Sequence, residues 1–455
     1  MKMIEIVKKQ REFYLTGNTK SCEFRIEMLK ILEEALLVYE EKLKEAFILD
    51  LGKCREEAQL TEFTLTFQEI KHAIKHLKKW DRTRRVHTPI TCAVGKSRIH
   101  REPYGVSLIL SPWNYPLVLA MDPLIGSITG GNCAVLKCSR SSAHVSAVIK
   151  EMIDGAFPEK YIYCAEPTSA YEEILEPVYD YIFFTGSKEI GKVIMEKASK
   201  NLTPVSLELG GKSPCIVEKS ADIPYAARRI VWGKFLNGGQ TCIAPDYIFV
   251  DASVKEKLVL ELKKQIHAMY QDALADEKYP KIISKRHFER LIGLIDAEKK
   301  VIGGERDAKT MRISPTILPD ANFESPAMQN EIFGPILPII SYQNREEIFN
   351  YLEGRDKPLA FYLFTKDKAN TKEYMDRLSF GGGCVNDVIM HMVNENLPFG
   401  GVGASGMGAY HGKYNFDTFT REKGVLYKSM KFEMKAIYRP FTEKNMAFLN
   451  RILRK

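Results

Sequence analysis

The chain has 455 residues, of which 45% are hydrophobic and 27% are charged. These values are ordinary for a folded protein in water and exclude a disordered or fibrous chain. The net charge of +8 comes from 66 basic and 58 acidic residues spread along the chain. Such a mild excess suits anionic ligands and does not require nucleic acid as a partner.

Nine cysteines are scattered along the chain without a CxxC pair. This pattern argues against a disulfide framework or a structural zinc site and favours a reducing compartment. The first residues, MKMIEIVKKQREFY, lack the apolar core of a signal peptide, and no run of about 18 apolar residues occurs. We therefore expect a cytoplasmic protein with no integral membrane segment and no bound metal.

The N-terminal part of the chain is predicted to be helical. Apolar residues recur at three- and four-residue spacings over residues 20–51 and again over residues 61–80. Residues 81–105 are rich in proline, glycine and basic residues, which indicates a hairpin or a connecting arm suited to an oligomer contact. Residues 428–455 hold eight basic and two acidic residues between aromatic ones. This tail could lie on an anionic membrane surface, although a packed or frayed tail is favoured.

The rest of the chain has the pattern of an α/β protein. After Gly105, short apolar runs alternate with helix-sized intervals, which is typical of a parallel sheet covered by helices. A second alternation begins after LELGGKSPCIV (residues 207–217). Two α/β domains joined near residues 208–212 are the simplest arrangement.

Three residues are candidates for covalent chemistry, although each taken alone is more often structural. Cys242 follows a small, uncharged run, NGGQT, and a thiolate is a strong nucleophile toward a carbonyl carbon. Asn114 lies in the predicted turn SPWNYPL, where a rigidly held amide suits an oxyanion donor. Glu208, in LELGG, could be a general base for an attacking water.

Two further segments suit a dinucleotide, each with a weak signal. In DYIFFTGSKEIGKVI (residues 180–194), a predicted strand leads through Gly186 to a helix expected to begin near Gly191. Glycine lets the backbone approach a ligand, and a helix N-terminus favours phosphate. Lys137 ends another predicted strand, where ligands of open α/β sheets bind. By itself it is as often a surface lysine.

Taken together, these segments resemble the aldehyde dehydrogenase superfamily over about residues 26–428. The motifs SPWNYPL, FTGSKEIGK, LELGGKSPCIV, GGQTCIAPDY, EIFGPILP and LPFGGVGASGMGAYHG stand in the family's order. ARRIVWGKFLNGGQTCIAPDY and YHGKYNFDTFT look most like the class 3 branch, which includes fatty and aromatic aldehyde dehydrogenases.

The resemblance implies a two-domain α/β fold with a small β oligomerisation arm. The Rossmann-like cofactor domain is expected at 1–81 and 101–209, with a return segment at about 395–424. The catalytic domain is expected at 210–394, and the arm and tail at 82–100 and 425–455. A homodimer is implied by the resemblance alone.

The resemblance also implies the reaction, which oxidises a medium- or long-chain aliphatic or aromatic aldehyde to the carboxylic acid with NAD or NADP. Cys242 would form a thiohemiacetal, Asn114 with the backbone N–H of Cys242 would stabilise the oxyanion, and Glu208 would activate water to hydrolyse the thioester. The implied cofactor-binding residues are Trp113, Lys137, Arg140, Gly186, Ser187, Gly191, Leu209, Gly210, Glu331 and Phe333. The implied lining of the substrate pocket is Tyr115 and Phe399.

One departure from the family concerns the cofactor. NAD-using members commonly have glutamate three residues after the lysine, where this chain has Arg140. A guanidinium cannot accept bonds from ribose hydroxyls but can pair with a 2′-phosphate. We therefore expect NADP to be used at least as well as NAD, with the alternative that Arg140 turns to solvent. The family frequently has proline where this chain has Cys138, so the resemblance does not fix the backbone conformation at this position.

Two rival functions remain on sequence grounds. A CoA-acylating relative would pass the thioester to a thiol, but Glu208 argues for hydrolysis. A non-catalytic relative would keep the fold as a binding or structural protein, but the matched Cys242, Glu208, Asn114 and Glu331 argue against it.

Overall fold

The computed structural model describes residues 2–92, 95–431 and 433–453. Residue 1 of the predicted cofactor domain, residues 93–94 of the predicted arm, and residues 432, 454 and 455 of the predicted tail lie outside this description. The helices are α1 (Met3–Leu15), α2 (Cys22–Leu51), α3 (Arg55–Ala58), α4 (Thr64–Trp80), α5 (Val118–Gly130), α6 (Ala143–Ala156), α7 (Tyr171–Ile174), α8 (Lys188–Ser199), α9 (Ile223–Phe235), α10 (Lys255–Met269), α11 (Lys285–Asp296), α12 (Arg345–Glu353), α13 (Lys368–Arg377), α14 (Lys413–Thr418) and α15 (Glu443–Leu453).

The two predicted N-terminal helices form with clear local signals. The Ser21 hydroxyl accepts the Phe24 N–H at 3.3 Å and caps α2, and Gly52 ends that helix in a left-handed conformation. The second predicted helix is interrupted, because Gln59–Phe63 forms a π-helical turn before α4 begins at Thr64.

The strands are short and mostly buried. They are β1 (Arg84–Val86), β2 (Gly95–Pro103), β3 (Val106–Leu110), β4 (Cys133–Lys137), β5 (Ile162–Cys164), β6 (Tyr181–Gly186), β7 (Val205–Leu209), β8 (Pro214–Val217), β9 (Tyr247–Asp251), β10 (Arg306–Asp307), β11 (Arg312–Ile313), β12 (Thr316–Leu318), β13 (Ile336–Tyr342), β14 (Ala360–Phe364), β15 (Gly382–Val385), β16 (Gly406–Met407) and β17 (Thr420–Lys428).

Two six-stranded sheets form the body of the molecule. The first has the order β16-β7-β6-β3-β4-β5, in which only β16 is antiparallel to its neighbour. The second has the order β12-β13-β9-β8-β14-β15, and all of its strands are parallel. Residues 210–213 alone connect β7 of the first sheet to β8 of the second. The expected α/β fold is confirmed, and its uninterrupted apolar strands fit sheets covered on both faces.

A third, smaller sheet lies apart from these two. It has the order β1-β2-β17, and both pairings are antiparallel, with Thr420 opposite Pro103 and Lys428 opposite Gly95. This is the small arm sheet that the sequence indicated, and β2 and β1 form its hairpin. Within the described residues, no helix is long and apolar enough to cross a membrane.

Candidate active site

Four parallel strands of the first sheet end along one edge, and several predicted site residues lie there. Leu110, the last residue of β3, pairs with Lys137 at the end of β4 and with Phe184 in β6. Gly186 pairs with Leu209 where β6 and β7 end. Ligands of open α/β sheets bind outside the carboxyl ends of the strands, so this edge suits a cofactor.

The turn that leads to Cys242 has a left-handed backbone. Asn237, Gly238 and Gly239 have φ of 53°, 61° and 73°. Glycine adopts this region without strain, and asparagine enters it more readily than most residues. At Gly239 a Cβ atom would overlap the backbone of Gly334. The small residues before the thiol are therefore required by the path of the chain and by its close packing.

The turn carrying Asn114 is hydrogen-bonded to the Cys242 turn. The Asn114 side-chain amide donates to the Gln240 carbonyl at 3.1 Å, and the Asn237 side-chain amide donates to the Asn114 carbonyl at 2.8 Å. Asn114 itself is 3% exposed. Because a primary amide has two N–H groups, this bond to Gln240 leaves the second N–H of Asn114 for a ligand.

The Cys242 thiol lies in a setting that disfavours its charged form. Burial first, and then the charges of Glu331 and Glu208, raise the pKa of Cys242 to about 12. Hydrogen bonds from the backbone N–H groups of Cys242 and Ile243 act in the opposite direction. Without other ligands the sulfur is a thiol at neutral pH, so its reaction requires activation.

Glu208 is a buried carboxyl group without a hydrogen-bond partner among the described residues. It is 3% exposed, and neither side-chain oxygen has a bond to the protein. Burial raises the pKa of Glu208 well above its usual range. Buried polar groups are normally paired, so an unpaired and strongly perturbed carboxyl indicates a functional position.

Glu331 is held against the link between the two main sheets. A Cβ atom at Gly210 would overlap the Glu331 carboxylate, which also accepts the Gly211 N–H. Burial, and then the charge of Asp246, raise the pKa of Glu331 to about 8. The nearby Lys234 is fully buried, burial lowers its pKa to about 8, and its Nζ bonds to none of the described residues.

The start of α8 has the features of a phosphate site. The helix begins at Lys188, three residues earlier than the sequence suggested, and the Ser187 hydroxyl caps it by accepting the Ile190 N–H at 3.5 Å. Gly191 lies in the first turn, where a Cβ atom would be 2.8 Å from Leu209 Cδ2. The glycine lets the helix N-terminus approach the end of β7, and its free N–H groups suit an anion.

Two cationic residues lie where β4 ends, because Lys137 is the last residue of the strand and Arg140 follows three residues later. The Lys137 Nζ donates to the carbonyls of Cys138 and Pro167 at 3.3 Å each, and it lies 5.1 Å from the centre of the Tyr171 ring. Burial is the main cause that lowers the pKa of Lys137, and the charge of Arg140 adds to it. Arg140 is exposed. Two cations of this kind suit a ribose or a phosphate ester.

Trp113 and Phe333, both named in the sequence analysis, pack their rings together. Their ring centroids are 5.5 Å apart at 74°. His287, which the sequence analysis did not identify, lies 6.2 Å from Trp113 and donates a ring N–H to the Phe333 carbonyl at 2.7 Å. Phe333 has φ of 52°, and burial lowers the pKa of His287 to about 4, so this imidazole is neutral.

The two predicted pocket residues are well packed. The Tyr115 hydroxyl is 2.6 Å from Thr241 Oγ1, and the ring lies 4.3 Å from the Lys53 Nζ. Phe399 is 6% exposed and stacks on His391 at 5.9 Å and 24°. Both side chains therefore already have polar or aromatic partners within the protein.

Three charged residues behind these turns escaped the sequence analysis. Lys53 and Glu62 are fully buried and form an ion pair of 2.7 Å, and Glu57 accepts the Asn237 N–H at 2.8 Å. No local signal distinguishes these positions from the many exposed charges on neighbouring helices. Only their contacts with distant parts of the chain reveal them.

Comparison with known proteins decides the family, because the aldehyde dehydrogenase family model matches residues 3–425. The chain belongs to the aldehyde dehydrogenase family. The 4,4'-diaponeurosporen-aldehyde dehydrogenase of Staphylococcus aureus (strain NCTC 8325 / PS 47) is 46% identical over 427 residues, 93% of each chain. The dimeric NADP-preferring aldehyde dehydrogenase of Rattus norvegicus is 41% identical over 428 residues, 94% of each chain.

A solved structure extends the likeness to the whole fold of this aldehyde dehydrogenase. The substrate-bound state of Staphylococcus aureus AldH matches with a TM-score of 0.96 at 43% identity and covers 99% of both chains. The resemblance to the class 3 branch is also confirmed, since relatives named as family 3 members match more than nine tenths of the chain. The protein is an NAD(P)-dependent enzyme that oxidises aldehydes to carboxylic acids.

The residues present in this aldehyde dehydrogenase fit a dinucleotide. The edge of the first sheet offers a capped helix N-terminus at Ser187 and cations at Lys137 and Arg140. Farther along, a Cβ atom at Gly210 would fill the cradle beside the Glu331 carboxylate. A phosphate-binding end, a cationic end and an acceptor for hydroxyl groups are the three features that such a cofactor needs.

Proposed function

We propose that Cys242, Asn114 and Glu208 carry out the oxidation as nucleophile, oxyanion donor and general base. The observation that carries this proposal is Glu208, a fully buried carboxyl with neither oxygen bonded to the described residues. The charge of Glu208 acts on Cys242. A role in the chemistry at Cys242 would explain why this buried carboxyl is left unpaired.

In the first step, the Cys242 sulfur attacks the carbonyl carbon of the aldehyde. The carbon–sulfur bond forms, the thiol proton passes to solvent water, and the carbonyl oxygen becomes an oxyanion. The free N–H of the Asn114 amide and the backbone N–H of Cys242 would donate to that oxygen. Preorganised donors are effective here because the Asn114 amide is already fixed by its bond to Gln240.

The cofactor, when bound, supplies the acceptor for the hydride that leaves the tetrahedral carbon. The residues proposed to hold and orient it are Trp113, Lys137, Arg140, Gly186, Ser187, Gly191, Leu209, Gly210, Glu331 and Phe333. A thioester on Cys242 remains, and Glu208 would take a proton from a water that attacks its carbonyl carbon. The acid leaves and the thiol is restored. Because hydrolysis benefits from a base and transfer to CoA does not, Glu208 argues for hydrolysis.

The preferred cofactor is a finer proposal. We infer that NADP is used at least as well as NAD, because Arg140 is exposed close to Lys137 and can pair with a 2′-phosphate. The rat relative, 41% identical, is named NADP-preferring. No acidic side chain occupies position 140 to accept from both ribose hydroxyls.

The substrate class follows from the same setting. We propose medium- or long-chain aliphatic or aromatic aldehydes, because Tyr115 and Phe399 bring aromatic surface to the site and their polar partners are internal. An apolar aldehyde gains from burial against such surface, whereas a charged one would lose its hydration.

Assembly, location and domain division complete the proposal. We propose a homodimer, supported by the exposed edge strand of the small sheet and by the rat relative that is named dimeric. A cytoplasmic location is supported by nine cysteines that are all free. We propose the predicted division into cofactor and catalytic domains, supported by the passage of the chain from the first sheet to the second over residues 210–213.

The first experiment follows the absorbance of reduced cofactor with a medium-chain and an aromatic aldehyde, each with NAD and with NADP. Wild type and Cys384→Ala, which removes another partly buried thiol, are expected to turn over, while Cys242→Ala is not. Turnover by Cys242→Ala at the wild-type rate would overturn the role of this residue. Acyl-CoA formation on adding CoA would instead contradict hydrolysis.

A further inference from the structure

One short segment lies behind both turns of the proposed site. It begins with Lys53 after α2, continues through α3, and ends in the π-helical turn Gln59–Phe63, which contains Glu62. The side chains of Lys53 and Glu62 are 0% exposed. Single π turns are rare and occur frequently at functional sites, so this one requires a reason.

Glu62 binds the start of α5, which lies 56 residues later in the sequence. Its Oε1 accepts from the Lys53 Nζ at 2.7 Å, while its Oε2 accepts the N–H groups of Leu117 and Val118 at 3.1 and 3.0 Å. Helix α5 has no side-chain cap from its own sequence. A carboxylate at a helix N-terminus satisfies free donors and is favoured by the helix dipole. Glu62 thereby fixes the backbone that follows Asn114.

Lys53 and Asn237 bind the Asn114 turn from the other side. The Lys53 Nζ is 3.5 Å from the Asn114 carbonyl oxygen and 4.3 Å from the centre of the Tyr115 ring. The same carbonyl accepts the Asn237 side-chain amide at 2.8 Å. The peptide plane of Asn114 is therefore fixed by two donors, and this sets the direction of its side chain.

Glu57 connects the segment to the thiol. Its Oε1 accepts the backbone N–H of Asn237 at 2.8 Å, at the first of the three left-handed residues before Cys242. Burial raises the pKa of both Glu57 and Glu62, and the charge of Lys53 opposes that rise in each. One lysine thus compensates two carboxylates, of which one holds the Asn114 turn and the other holds the Cys242 turn.

We propose that Lys53, Glu57 and Glu62 are positioning residues that set the distance between the Asn114 amide and the Cys242 sulfur. The inference rests on the roles proposed above for Asn114 and Cys242. Stability alone is a weak reason for such a cluster, since a buried ion pair is often replaceable by apolar residues at no loss. Geometry is a stronger reason, because a displacement of about 1 Å at a reacting group can slow a reaction about a hundredfold.

The deciding experiment is a double-mutant cycle between Glu62→Gln and Asn114→Ala. In the otherwise wild-type enzyme, Glu62→Gln is expected to lower kcat between about tenfold and a hundredfold. In the Asn114→Ala background, it is expected to lower kcat less than about twofold, because the donor that it positions is gone. Equal losses of kcat in both backgrounds would overturn the positioning role of Glu62 but leave the proposed role of Asn114 intact. If Asn114→Ala by itself leaves kcat unchanged, the role of Asn114 fails and the inference fails with it.

Alkylation of Cys242 by iodoacetamide separates positioning from general loosening. This reaction forms no oxyanion, so Glu62→Gln should leave its rate within about twofold of wild type while kcat falls. Parallel loss of both would contradict the inference. As a matched control, Asp81→Asn weakens the Arg25–Asp81 pair, whose side chains are 4% and 25% exposed, and should lower the unfolding temperature without lowering kcat.

Variants at Lys53 guard against a failure of Glu62→Gln to fold. Lys53→Arg keeps the charge and is expected to keep kcat within about threefold, whereas Lys53→Met is expected to lose as much as Glu62→Gln. The paired variant Lys53→Met with Glu62→Leu removes the ion pair and leaves Glu57, whose pKa is raised by burial, to take up a proton, so it is expected to fold. If this pair retains the wild-type kcat, the cluster has no positioning role.

Discussion

Cys242 and Glu208 are both disfavoured as charged groups by the burial that shields the reaction. Burial raises the pKa of both groups, and the charge of Glu208 adds to the rise of the pKa at Cys242. A general base works best when its pKa is near the working pH, so a raised carboxyl pKa serves catalysis. A thiol with a pKa of about 12 has the opposite requirement and must lose its proton as it reacts.

The first prediction at this scale concerns the thiol without ligands. Alkylation of Cys242 by iodoacetamide should accelerate about tenfold per pH unit between about pH 7 and 9, because only the thiolate reacts and its fraction grows in that proportion below the pKa. Peptide mapping by mass spectrometry measures the rate at this cysteine separately from the other eight. A plateau within this range would contradict the raised pKa.

The second prediction separates the two chemical steps. Glu208→Gln keeps the size of the side chain but removes the base, so steady-state turnover should fall about a hundredfold or more. A rapid-mixing experiment should still show one burst of reduced cofactor, since acylation of Cys242 precedes hydrolysis. Glu218→Gln is the control, because Glu218 is also buried but is bonded to Thr365 and Asn370. Loss of the burst would assign Glu208 to the earlier step.

At the scale of elements, the turn before the thiol combines space and conformation. Asn237, Gly238 and Gly239 are all left-handed, and of the two glycines it is Gly239 whose Cβ atom would overlap another backbone, at 2.3 Å from the Gly334 oxygen. We expect Gly239→Ala to destabilise the fold by more than about 2 kcal/mol and to abolish activity, because neither φ nor space permits it.

Two matched substitutions test the reason. Gly238→Ala has its nearest neighbour at 3.6 Å and should cost only about 1 kcal/mol for its left-handed φ. Gly293→Ala in α11 meets nothing within 4 Å and should stabilise the helix by up to about 1 kcal/mol. Urea unfolding of the three variants measures this order, and a Gly239→Ala variant as stable as Gly238→Ala would contradict it.

The exit from β4 carries the prediction about the cofactor. Arg140→Glu should lower the ratio of kcat/KM for NADP to that for NAD by about tenfold or more, since a carboxylate repels a 2′-phosphate and accepts from ribose hydroxyls. Lys137→Met is the comparison and should weaken both cofactors together. An unchanged ratio in Arg140→Glu would mean that this side chain points to solvent.

How much of the site was predictable depends on the range of the interactions. The position of Lys137 at a strand end and the small, uncharged run before Cys242 follow from local patterns of apolar residues and glycine. The hydrogen bond from Asn237 to Glu57 joins residues 180 positions apart and has no local signal. Local patterns therefore indicated a strand end and the small residues before the thiol, the family resemblance implied the set of site residues, and neither indicated the residues that hold these turns in place.

At the scale of the whole molecule, the two-sheet α/β plan was predictable and its details were not. Alternating apolar runs indicated parallel sheets, but they do not give the strand order, which depends on pairings such as Gly406 with Glu208. The late return of the chain at about 395–424 was implied by the family resemblance and not by the apolar pattern. The π turn at Gln59–Phe63 was missed because helical periodicity hides one extra residue.

The small sheet carries a prediction about assembly. Its edge strand β17 leaves Leu426 and Tyr427 45% and 46% exposed, and exposed edges favour pairing with a second chain. Wild type should have a mass of about twice 51.9 kDa by light scattering, and Leu426→Lys should shift it toward the monomer. Leu202→Lys, at a turn residue 89% exposed, should not. A wild-type monomer would contradict the proposed dimer.

The link at residues 210–213 makes chain length itself a determinant of activity. Only these four positions separate β7, which carries Glu208, from β8, the first strand of the second sheet in chain order. One of the four, Gly210, lies against the Glu331 carboxylate. A single inserted residue here would shift one half of the enzyme against the other. Over evolution, the length of this link should therefore resist insertion and deletion more strongly than its composition resists substitution.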